Sequence, residues 1–196
     1  MWKLPGIVLG AVLLTAGCNT AKEKVPVSGG ESGVEQEETA ASEITAPIIN
    51  TDGENIGSAV IRAENGGVAM DITATGLIPG KHGIHIHENG VCTAPDFKAS
   101  AGGHFNPEGK EHGFDNPKGY HAGDLENLEA DENGNAEVHI TTDAVTLDLG
   151  KENSLIDDGG TALVIHEGED DYKTDPAGDS GKPFACAEIT SENLSK

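Results

Sequence analysis

Short apolar segments separated by turn residues dominate the chain from residue 44 onwards and restrict it to a β-sheet architecture. Each segment alternates polar and apolar residues or is rich in β-branched side chains, as half-buried strands are. Asn65-Gly66 and Asn133-Gly134 are strong hairpin signals, because both residue types accept positive φ angles easily. No window of helical length carries an apolar stripe with a 3.6-residue period. The predicted strands are Ile44–Asn50, Ile56–Glu64, Val68–Thr75, Gly83–His87, Ala136–Thr142, Thr161–His166 and Phe184–Ile189.

Seven or eight strands of this kind predict an all-β domain over residues 44–196, folded as a Greek-key, eight-stranded flattened barrel or sandwich. Two long stretches interrupt the strand pattern, at residues 88–124 and 167–183. Loops of this length in a small domain are usually functional or disordered. The first stretch is rich in histidine as well as glycine, which favours two functional loops.

Histidines concentrate in and beside these loops and predict a metal site. His85 and His87 are separated by one residue, so on a strand their side chains leave the same face. This pattern alone is weak evidence, but further ligand-type residues follow it. Imidazole suits copper and zinc, and histidines combined with a carboxylate suit zinc. His82 has the opposite parity and His139 lies mid-strand, so we interpret both as outside the site. The ligand-type residues after His87 are His104, His112, His121, Asp124 and His166.

Several motifs resemble those of the copper–zinc superoxide dismutase family, in order and with compatible spacing from about residue 44 to 190. They are GIHIHE at 83–88, AGGHFNP at 101–107, EHG at 111–113, HAGDLENL at 121–128 and VIHE at 164–167, followed by Asp170 and Asp171. The resemblance implies an enzyme that converts superoxide to dioxygen and hydrogen peroxide. It also implies copper and zinc ions as cofactors and superoxide as the small-molecule substrate.

The resemblance implies roles for individual residues. His104 would bridge both metals as an imidazolate and act as a catalytic residue that carries a proton. Asp170 matches a carboxylate that hydrogen-bonds one ligand of each metal, although a solvated acidic residue is the alternative. Cys92 and Cys186 fall where the family's disulfide cysteines fall. The implied copper ligands are His85, His87, His104 and His166, and the implied zinc ligands are His104, His112, His121 and Asp124.

One position departs from the family pattern. The segment GKPFAC at 181–186 has Pro183 where the family has an arginine that guides the anionic substrate. Proline has neither a charge nor a donor, and the chain's single arginine, Arg62, lies in an early strand. Lys182 is the candidate to replace this charge as a second catalytic residue, although lysine lacks the planar guanidinium fork. We therefore expect intact metal sites and slowed turnover. The alternative is a non-catalytic, lipid-anchored copper- or zinc-binding protein on the same scaffold.

The N-terminal residues predict export and lipid attachment. Residues 1–17 combine Lys3 with a short apolar run, as a signal peptide does. The sequence LTAGC at 14–18 resembles a bacterial lipobox with Cys18 as the lipidation site; the alternative is an ordinary cleaved signal and an incidental cysteine. Residues 18–43 are rich in Gly, Ser, Glu and Thr and predict a flexible, lipidated tether. The expected location is extracytoplasmic, anchored to a bacterial membrane by the N-terminal lipid only.

Charge and cysteine content limit the partners and the compartment. The chain has 12 lysine and arginine residues against 34 aspartate and glutamate residues, a formal net charge of −22. No basic patch is present to displace counterions, which argues against a nucleic-acid partner. Of three cysteines, Cys92 and Cys186 remain to pair in an oxidising compartment if Cys18 carries lipid; two free thiols are the alternative. The sequence leaves the oligomeric state open.

Overall fold

A computed structural model describes residues 43–195, and these residues form ten strands, one short α-helix and one 3-10 helix. The predicted signal peptide, Cys18 and the tether up to residue 42 lie outside the described residues. The elements are β1 (Glu43–Asn50), β2 (Asn55–Glu64), β3 (Gly67–Ala74), β4 (Gly80–His82), β5 (Ile84–His87), α1 (Phe97–Ala101), β6 (Leu128–Ala130), β7 (Ala136–Thr142), β8 (Thr161–His166), β9 (Pro183–Ile189), the 3-10 helix (Ser191–Asn193) and β10 (Leu194–Ser195).

Eight strands form one curled antiparallel sheet. Its order is β5-β8-β9-β1-β2-β3-β7, with β10 paired to β1, and β4 and β6 form a separate two-stranded sheet. Strands that are distant in sequence are neighbours, since β3 lies beside β7 and β8 lies between β5 and β9. The chain therefore crosses between the two ends of the sheet, as in a Greek key. The predicted all-β, eight-stranded barrel architecture is confirmed.

Alternating burial along the strands places the core inside the curl. In β1, Ile44, Ala46 and Ile48 are buried, whereas Thr45 and Pro47 between them are exposed. This period of two is the pattern expected of a strand with one face on a core. The inward-facing side chains of all the long strands join one apolar cluster, which includes Ile61, Met70, Ile72, Ile86, Leu128, Leu163 and Ile189.

β5 and β8 are buried along their whole length, because the outer face of this part of the sheet is also covered. A second apolar cluster lies over β8 and β9 and includes Phe97 and Ala101 of α1. A disulfide between Cys92 and Cys186 attaches the loop that contains α1 to β9, with the two Cα atoms 5.7 Å apart. The predicted disulfide is thus confirmed. Such bonds are typical of proteins outside the cytoplasm, which agrees with an extracytoplasmic location.

Several short elements were not predicted from the sequence. β4 and β6 have three residues each, too few to show alternation. α1 lies within the predicted loop 88–124, and its five residues cannot carry a helical stripe. The Asp96 side chain caps α1 by accepting a hydrogen bond from the Ala99 amide (3.1 Å). The bounds of the seven predicted strands agree with the observed bounds to within one residue.

Neither of the helices among residues 43–195 is long and apolar enough to cross a membrane.

Candidate metal centre

β5 and β8 position three of the predicted ligands. In β5, Ile84 and Ile86 point into the barrel core, so His85 and His87 lie on the opposite face. Both imidazoles are buried, with exposed fractions of 0% and 3%. β8 pairs with β5 and ends at His166, which is also buried. Strand pairing therefore brings three histidines together on one rigid surface.

The histidine-rich loop lies along the other edge of β5. Isolated backbone bridges join His87 to His104 and His85 to Asp124. Gly123 approaches this edge so closely that an added Cβ would lie 2.3 Å from a main-chain oxygen of β5. A residue without a side chain is required at this point. The loop is thus attached to the strand like an extra, irregular strand, and this attachment carries two further ligand-type residues to the site.

Four buried ring nitrogens lack any hydrogen-bond partner among the described residues. They belong to the four histidines whose ligand atoms lie within 4.8 Å of one another. Buried polar atoms without a partner are rare, because they lose their hydration and gain nothing in return. A cation bound by all four nitrogens would supply the missing interaction, and copper accepts imidazole ligands readily. The atoms are His85 Nδ1, His87 Nε2, His104 Nε2 and His166 Nε2, the predicted copper ligands.

A second group surrounds the Asp124 carboxylate. The Nδ1 atoms of His104, His112 and His121 lie 2.9, 3.0 and 3.2 Å from Asp124 Oδ1. Asp124 Oδ2 accepts hydrogen bonds from the amides of Gly113 (2.9 Å) and His121 (3.1 Å), which fix the carboxylate. Three imidazoles and one carboxylate are a donor set that tetrahedral zinc uses. The four predicted zinc ligands therefore lie around one carboxylate, although the group whose ligand atoms all lie within 4.8 Å of one another contains His85 in place of His121.

His104 belongs to both groups. Its Nε2 is one of the four unpartnered nitrogens, whereas its Nδ1 faces Asp124. An imidazole can bind a metal at each nitrogen only when both nitrogens are deprotonated, and a divalent cation on each side makes that state accessible. The orientation of His104 fits the predicted bridge between a copper and a zinc ion.

Backbone carbonyl groups orient two of the copper-group histidines. His87 Nδ1 donates to the Gly102 carbonyl (2.9 Å), and His166 Nδ1 donates to the Gly181 carbonyl (3.1 Å). Because a carbonyl oxygen only accepts, each Nδ1 carries the ring proton and each Nε2 is left unprotonated. The two long loops therefore set the tautomers of these ligands.

Asp170 links the copper group and the Asp124 group by accepting a hydrogen bond from one histidine of each. Its Oδ2 accepts a hydrogen bond from His85 Nε2 (2.7 Å), and its Oδ1 accepts one from His112 Nε2 (3.0 Å). Asp170 is 1% exposed, so it is not a solvated loop residue. The contact leaves Nδ1 as the free nitrogen of His85. We therefore place His85 in the copper group, although one of its nitrogens also lies within 4.8 Å of ligand atoms of His104, His112 and Asp124.

Two residues that the sequence reasoning did not assign hold Asp170 in place. Asn127 Nδ2 donates to the Asp170 carbonyl and Asn127 Oδ1 accepts from the Asp170 amide, both at 2.9 Å. The main-chain N–H of Tyr172 donates to Asp170 Oδ1 (2.7 Å), and the Tyr172 hydroxyl accepts from the main-chain N–H of Asn127 (2.7 Å). Asn127 lies in the HAGDLENL motif, which was a signal that could have identified it. Tyr172 had no such signal, because its role depends on the conformation of the loop.

Burial keeps the copper-group imidazoles uncharged. Desolvation is the main cause that lowers the pKa of His87 to about 2, that of His166 to about 3 and that of His104 to about 4. Burial also lowers the pKa of His85. Neutral imidazoles are the form that binds metal ions, so at neutral pH no proton has to leave the four unpartnered nitrogens before a copper ion binds there.

The Asp124 group is electrostatically different. Burial lowers the pKa of His112, but hydrogen bonds with Asp124 and Asp170 outweigh this effect and raise the pKa to about 9. Burial raises the pKa of each carboxyl group, but hydrogen bonds from the histidines hold both values well below their usual range. Both carboxylates therefore stay ionised and favour a positive charge between them, either a proton on His112 or a bound cation.

The predicted anion-guide segment lies beside the copper group. Pro183 is the first residue of β9 and pairs with His166 in the sheet. Lys182 precedes it and is exposed. Arg62 lies on β2, where it forms ion pairs with two carboxylates of the neighbouring strands β1 and β3. β2 is separated from β5 and β8 in the sheet, so Arg62 does not belong to this segment.

The two histidines outside the metal groups differ from each other. The His139 side chain is 60% exposed and lies 2.7 Å from Asp71, as expected for a solvent-facing residue. His82 lies outside both metal groups, as predicted, and it is buried. Its Nδ1 lies 2.7 Å from the His166 carbonyl and its Nε2 lies 2.7 Å from the Ile78 carbonyl. His82 ends β4, and the strand predicted over Gly83–His87 begins at Ile84 as β5.

An antiparallel β-barrel with two adjoining ligand groups that share one histidine defines a metalloprotein with a two-metal centre. Residues 55–189 match the family described as copper/zinc superoxide dismutase (SODC). This match covers more than half of the chain, and the chain belongs to the copper/zinc superoxide dismutase family. Copper and zinc are the cofactors of this enzyme family, and both ligand groups fit them.

Relatives and solved structures agree with this family. "Superoxide dismutase [Cu-Zn] 2" of Aquifex aeolicus is 53% identical over 145 residues, which are 74% of this chain and 84% of the relative. The "superoxide dismutase-like protein YojM" of Bacillus subtilis is 41% identical over 158 residues, 80% of each chain. The crystal structure of a SOD-like protein from Bacillus subtilis has a TM-score of 0.72 and 39% identity, covering 76% of this chain and 99% of that one. The Cu/Zn superoxide dismutase from Brucella abortus has a TM-score of 0.60 and 29% identity, with coverage of 75% and 99%.

Proposed function

We propose that this protein dismutates superoxide, so that two superoxide anions and two protons give one dioxygen and one hydrogen peroxide. The observation that carries the proposal is the set of four unpartnered ring nitrogens, of which His104 Nε2 is shared with the Asp124 group. All seven predicted ligand residues are buried or nearly so. Relatives that are named copper–zinc superoxide dismutases support the same activity.

Bound copper supplies a one-electron acceptor and donor, and bound zinc supplies a fixed charge without redox chemistry. The residues of the chain keep this chemistry in place. His85, His87 and His166 present unprotonated nitrogens whose directions are set by acceptors on the far side of each ring. With zinc held at Nδ1, His104 Nε2 would carry the single ring proton whenever copper leaves it, and it could pass this proton to the reduced substrate. Asp170 keeps the ligands of both metals in register.

The proposal includes slowed turnover, because Pro183 offers no charge to an incoming anion. The chain as a whole is acidic, with a formal charge of −22, and so repels superoxide at long range. Lys182 is the proposed replacement for the guiding charge. Loss of steering lowers association rates by about 10- to 1,000-fold at low salt, which slows an enzyme without abolishing it.

Metal analysis combined with a superoxide assay tests the proposal. We expect the purified protein to bind about one copper and one zinc, the number of ligand groups in the site. We also expect superoxide removal to rise on copper loading and to disappear when copper is removed. A control with His87→Gln and His166→Gln should retain zinc and lose the activity. Full copper loading with no activity would contradict dismutation.

The second candidate is a non-catalytic, lipid-anchored copper- or zinc-binding protein. The observation that favours it is Pro183, which leaves the site without the family's arginine. The same assay separates the two functions, because a binding protein would take up metal with high affinity and leave the superoxide concentration unchanged.

We infer an extracytoplasmic location with lipid attachment at Cys18. The disulfide supports an oxidising compartment, and the LTAGC sequence supports lipidation. Labelling of growing cells with a fatty-acid analogue should mark the protein, and Cys18→Ser should abolish the label. Equal labelling of both forms would contradict attachment at Cys18.

A further inference from the structure

β7 is an edge strand with one side that has no main-chain partner. It pairs with β3 from Ala136 to Thr142 and stands at the end of the sheet order. Alternate residues of an edge strand direct their N–H and C=O groups away from the sheet. No main-chain hydrogen bond among residues 43–195 reaches the other side of β7 between Ala136 and Asp143. This side of β7 is therefore available to another extended chain.

A cleft of about 560 Å³ runs along this side of β7. A tight turn joins β6 to β7, and in it the Asp131 N–H donates to the Asn135 carbonyl (2.8 Å). Beyond the turn the two strands form no ladder among the described residues. One wall of the cleft is residues 139–143 at the end of β7, and the opposite wall includes residues 124–126, which precede β6. Successive residues of a strand face opposite sides of a sheet, so a cleft that contacts five in a row follows the strand edge.

The rim of this cleft is acidic. Glu64, Glu126 and Asp143 line it and are exposed. None of the ion pairs among residues 43–195 includes any of these three carboxylates. No lysine or arginine lines the cleft in the described part of the chain. Three unpaired carboxylates attract a partner that carries positive charge and repel an acidic one.

Aromatic side chains form a further wall of the cleft. Phe114 and Tyr120 of the histidine-rich loop line it, with exposed fractions of 40% and 37% and ring centroids 4.7 Å apart. Aromatic faces attract lysine and arginine, and Lys110 Nζ already lies 5.7 Å from the Tyr120 ring centroid. Aromatic rings beside carboxylates suit both the apolar stem and the charged head of a basic side chain.

We propose that the cleft beside β7 binds an extended, basic segment of another protein, which adds a strand to the edge of the sheet. Main-chain hydrogen bonds to β7 provide affinity, and lysine or arginine at alternate positions of the segment meets the acidic rim and the aromatic wall. Residues 139–143 span about 17 Å at about 3.4 Å per residue, so a segment of about five residues fits. This interaction goes beyond superoxide chemistry and does not depend on it.

Charge decides between this partner and a second copy of the chain. Two copies paired through β7 would bring their acidic rims together, on chains that each have a formal charge of −22. Like charges that face each other across an interface cost affinity. Charged residues beside an edge strand are a common protection against self-association. The rim therefore disfavours a second copy and leaves the edge open to a basic segment.

Fluorescence anisotropy with labelled peptides tests the proposal on the copper- and zinc-loaded protein. The probe is a seven-residue peptide that alternates lysine with threonine and begins and ends with lysine. One control peptide has glutamate in place of every lysine, and another keeps the lysines but carries methyl groups on its central main-chain nitrogens. At about 10 mM ionic strength we expect saturable binding of the probe, no binding of the glutamate peptide, and binding of the methylated peptide weakened at least about 10-fold.

Matched variants of the protein locate the site. The Glu64→Gln, Glu126→Gln variant removes two rim carboxylates, whereas Glu132→Gln, Glu192→Gln removes two exposed carboxylates outside the cleft. Both variants change the net charge equally. We expect the rim variant to bind the lysine peptide about 3- to 10-fold more weakly and the control to stay within about twofold. Equal losses in the two variants overturn the proposal, and so does the absence of saturable binding up to about 1 mM peptide.

Hydrogen exchange followed by NMR reports strand addition directly. Bound peptide should slow the exchange of outward-facing amides in β7 and leave β8 unchanged, because β8 already pairs with a strand on each side. Unchanged exchange in β7 with the peptide bound overturns the proposal. Sedimentation tests the other occupant: a dimer of the protein that the lysine peptide dissociates would place a second copy in the cleft and would also overturn it.

Discussion

Each copper-group histidine other than His104 has one ring nitrogen committed to an acceptor and one left for a metal. The acceptor is a carbonyl for His87 and His166 and the Asp170 carboxylate for His85. Asp170 also serves His112, so one side chain orients a ligand in each group. At this scale, the chemistry of the site depends as much on the acceptors as on the ligands.

Asp170→Asn is expected to weaken the binding of both metals by about 10- to 100-fold. A carboxylate can accept hydrogen bonds from two imidazoles, whereas an amide has one accepting oxygen and must turn its NH₂ group towards the second ring. Competition titrations with chelators measure both affinities. Asp171→Asn is the control, because among residues 43–195 the Asp171 side chain bonds only to Lys173 and Thr174 in its own exposed turn. Weakening of only one metal would contradict a shared role.

Pro183→Arg is expected to raise the superoxide rate several-fold at low ionic strength. An arginine there adds a charge and a donor fork beside His166, with which residue 183 pairs in the sheet. Pulse radiolysis measures the rate, and Pro183→Gln separates the added charge from removal of the proline ring. No gain in the arginine variant, or an equal gain in the glutamine variant, would count against slowed turnover through lost steering.

At the scale of elements, β5 is the structural centre of the site. β8 pairs with one of its edges and the histidine-rich loop attaches to the other. The second loop then closes over the back of the ligands and carries Asp170. Gly178 in this loop has φ +62° and lies against the hydrogen bond between Asp170 and His112. A Cβ added at Gly178 would be 1.7 Å from Asp170 Oδ1 and 2.8 Å from His112 Nε2. The loop therefore needs a glycine here for conformation and for space.

Gly178→Ala is expected to weaken binding of both metals, because the methyl group displaces Asp170 from His112. Gly53→Ala is the matched control, since Gly53 has a similar φ of +79° and nothing within 4 Å of an added Cβ. Both variants carry the strain of a positive φ, about 1 kcal/mol, so both should lose a similar amount of stability from this cause. Equal metal affinities in the two variants would contradict the predicted collision.

Removal of the disulfide is expected to lower the free energy of unfolding by about 4 to 5 kcal/mol, because the bond closes a long loop in the unfolded chain. Cys92 and Cys186 are 94 residues apart in sequence. Urea unfolding of the metal-free Cys92→Ser, Cys186→Ser variant measures the loss, and the reduced, unchanged protein should lose a similar amount. A difference below about 1 kcal/mol would show that the loop closure contributes little.

At the scale of the whole molecule, two fields act on an approaching anion. The formal charge of −22 repels it at long range, whereas Lys182, the proposed guiding charge, attracts it near the site. Salt screens both fields, and the Debye length falls from about 30 Å at 0.01 M to about 10 Å at 0.1 M. The two effects oppose each other.

We therefore expect a shallow salt dependence of the superoxide rate, within about threefold between 10 and 200 mM ionic strength. In the Lys182→Gln variant the rate should rise with salt, because only the repulsion remains to be screened. A fast rate in the unchanged protein that falls steeply with salt would contradict missing steering. Stopped-flow measurements over this range provide both curves.

Much of the fold and of the ligand set could be predicted because the signals are local. The alternation in β1 follows from a period of two residues, and His85 and His87 share a face for the same reason. The motifs with their spacing identified all seven ligand-type residues and Asp170. The burial of His82 had no local signal, because its ring lies between the carbonyls of Ile78 and His166, and His166 is distant in the sequence.

The amino-acid sequence by itself determined the all-β class, the cysteine pair and the residues able to bind copper and zinc, because strand periodicity and donor chemistry are properties of neighbouring residues. Only the tertiary structure decided which ring nitrogen of each histidine is free, how Asn127 and Tyr172 hold Asp170, and that Lys98 and Lys182 line one cavity. Several of those relations join segments that are distant in the chain, as Asn127 and Asp170 are, 43 residues apart. They exist only after the sheet has brought the loops together and buried the groups between them.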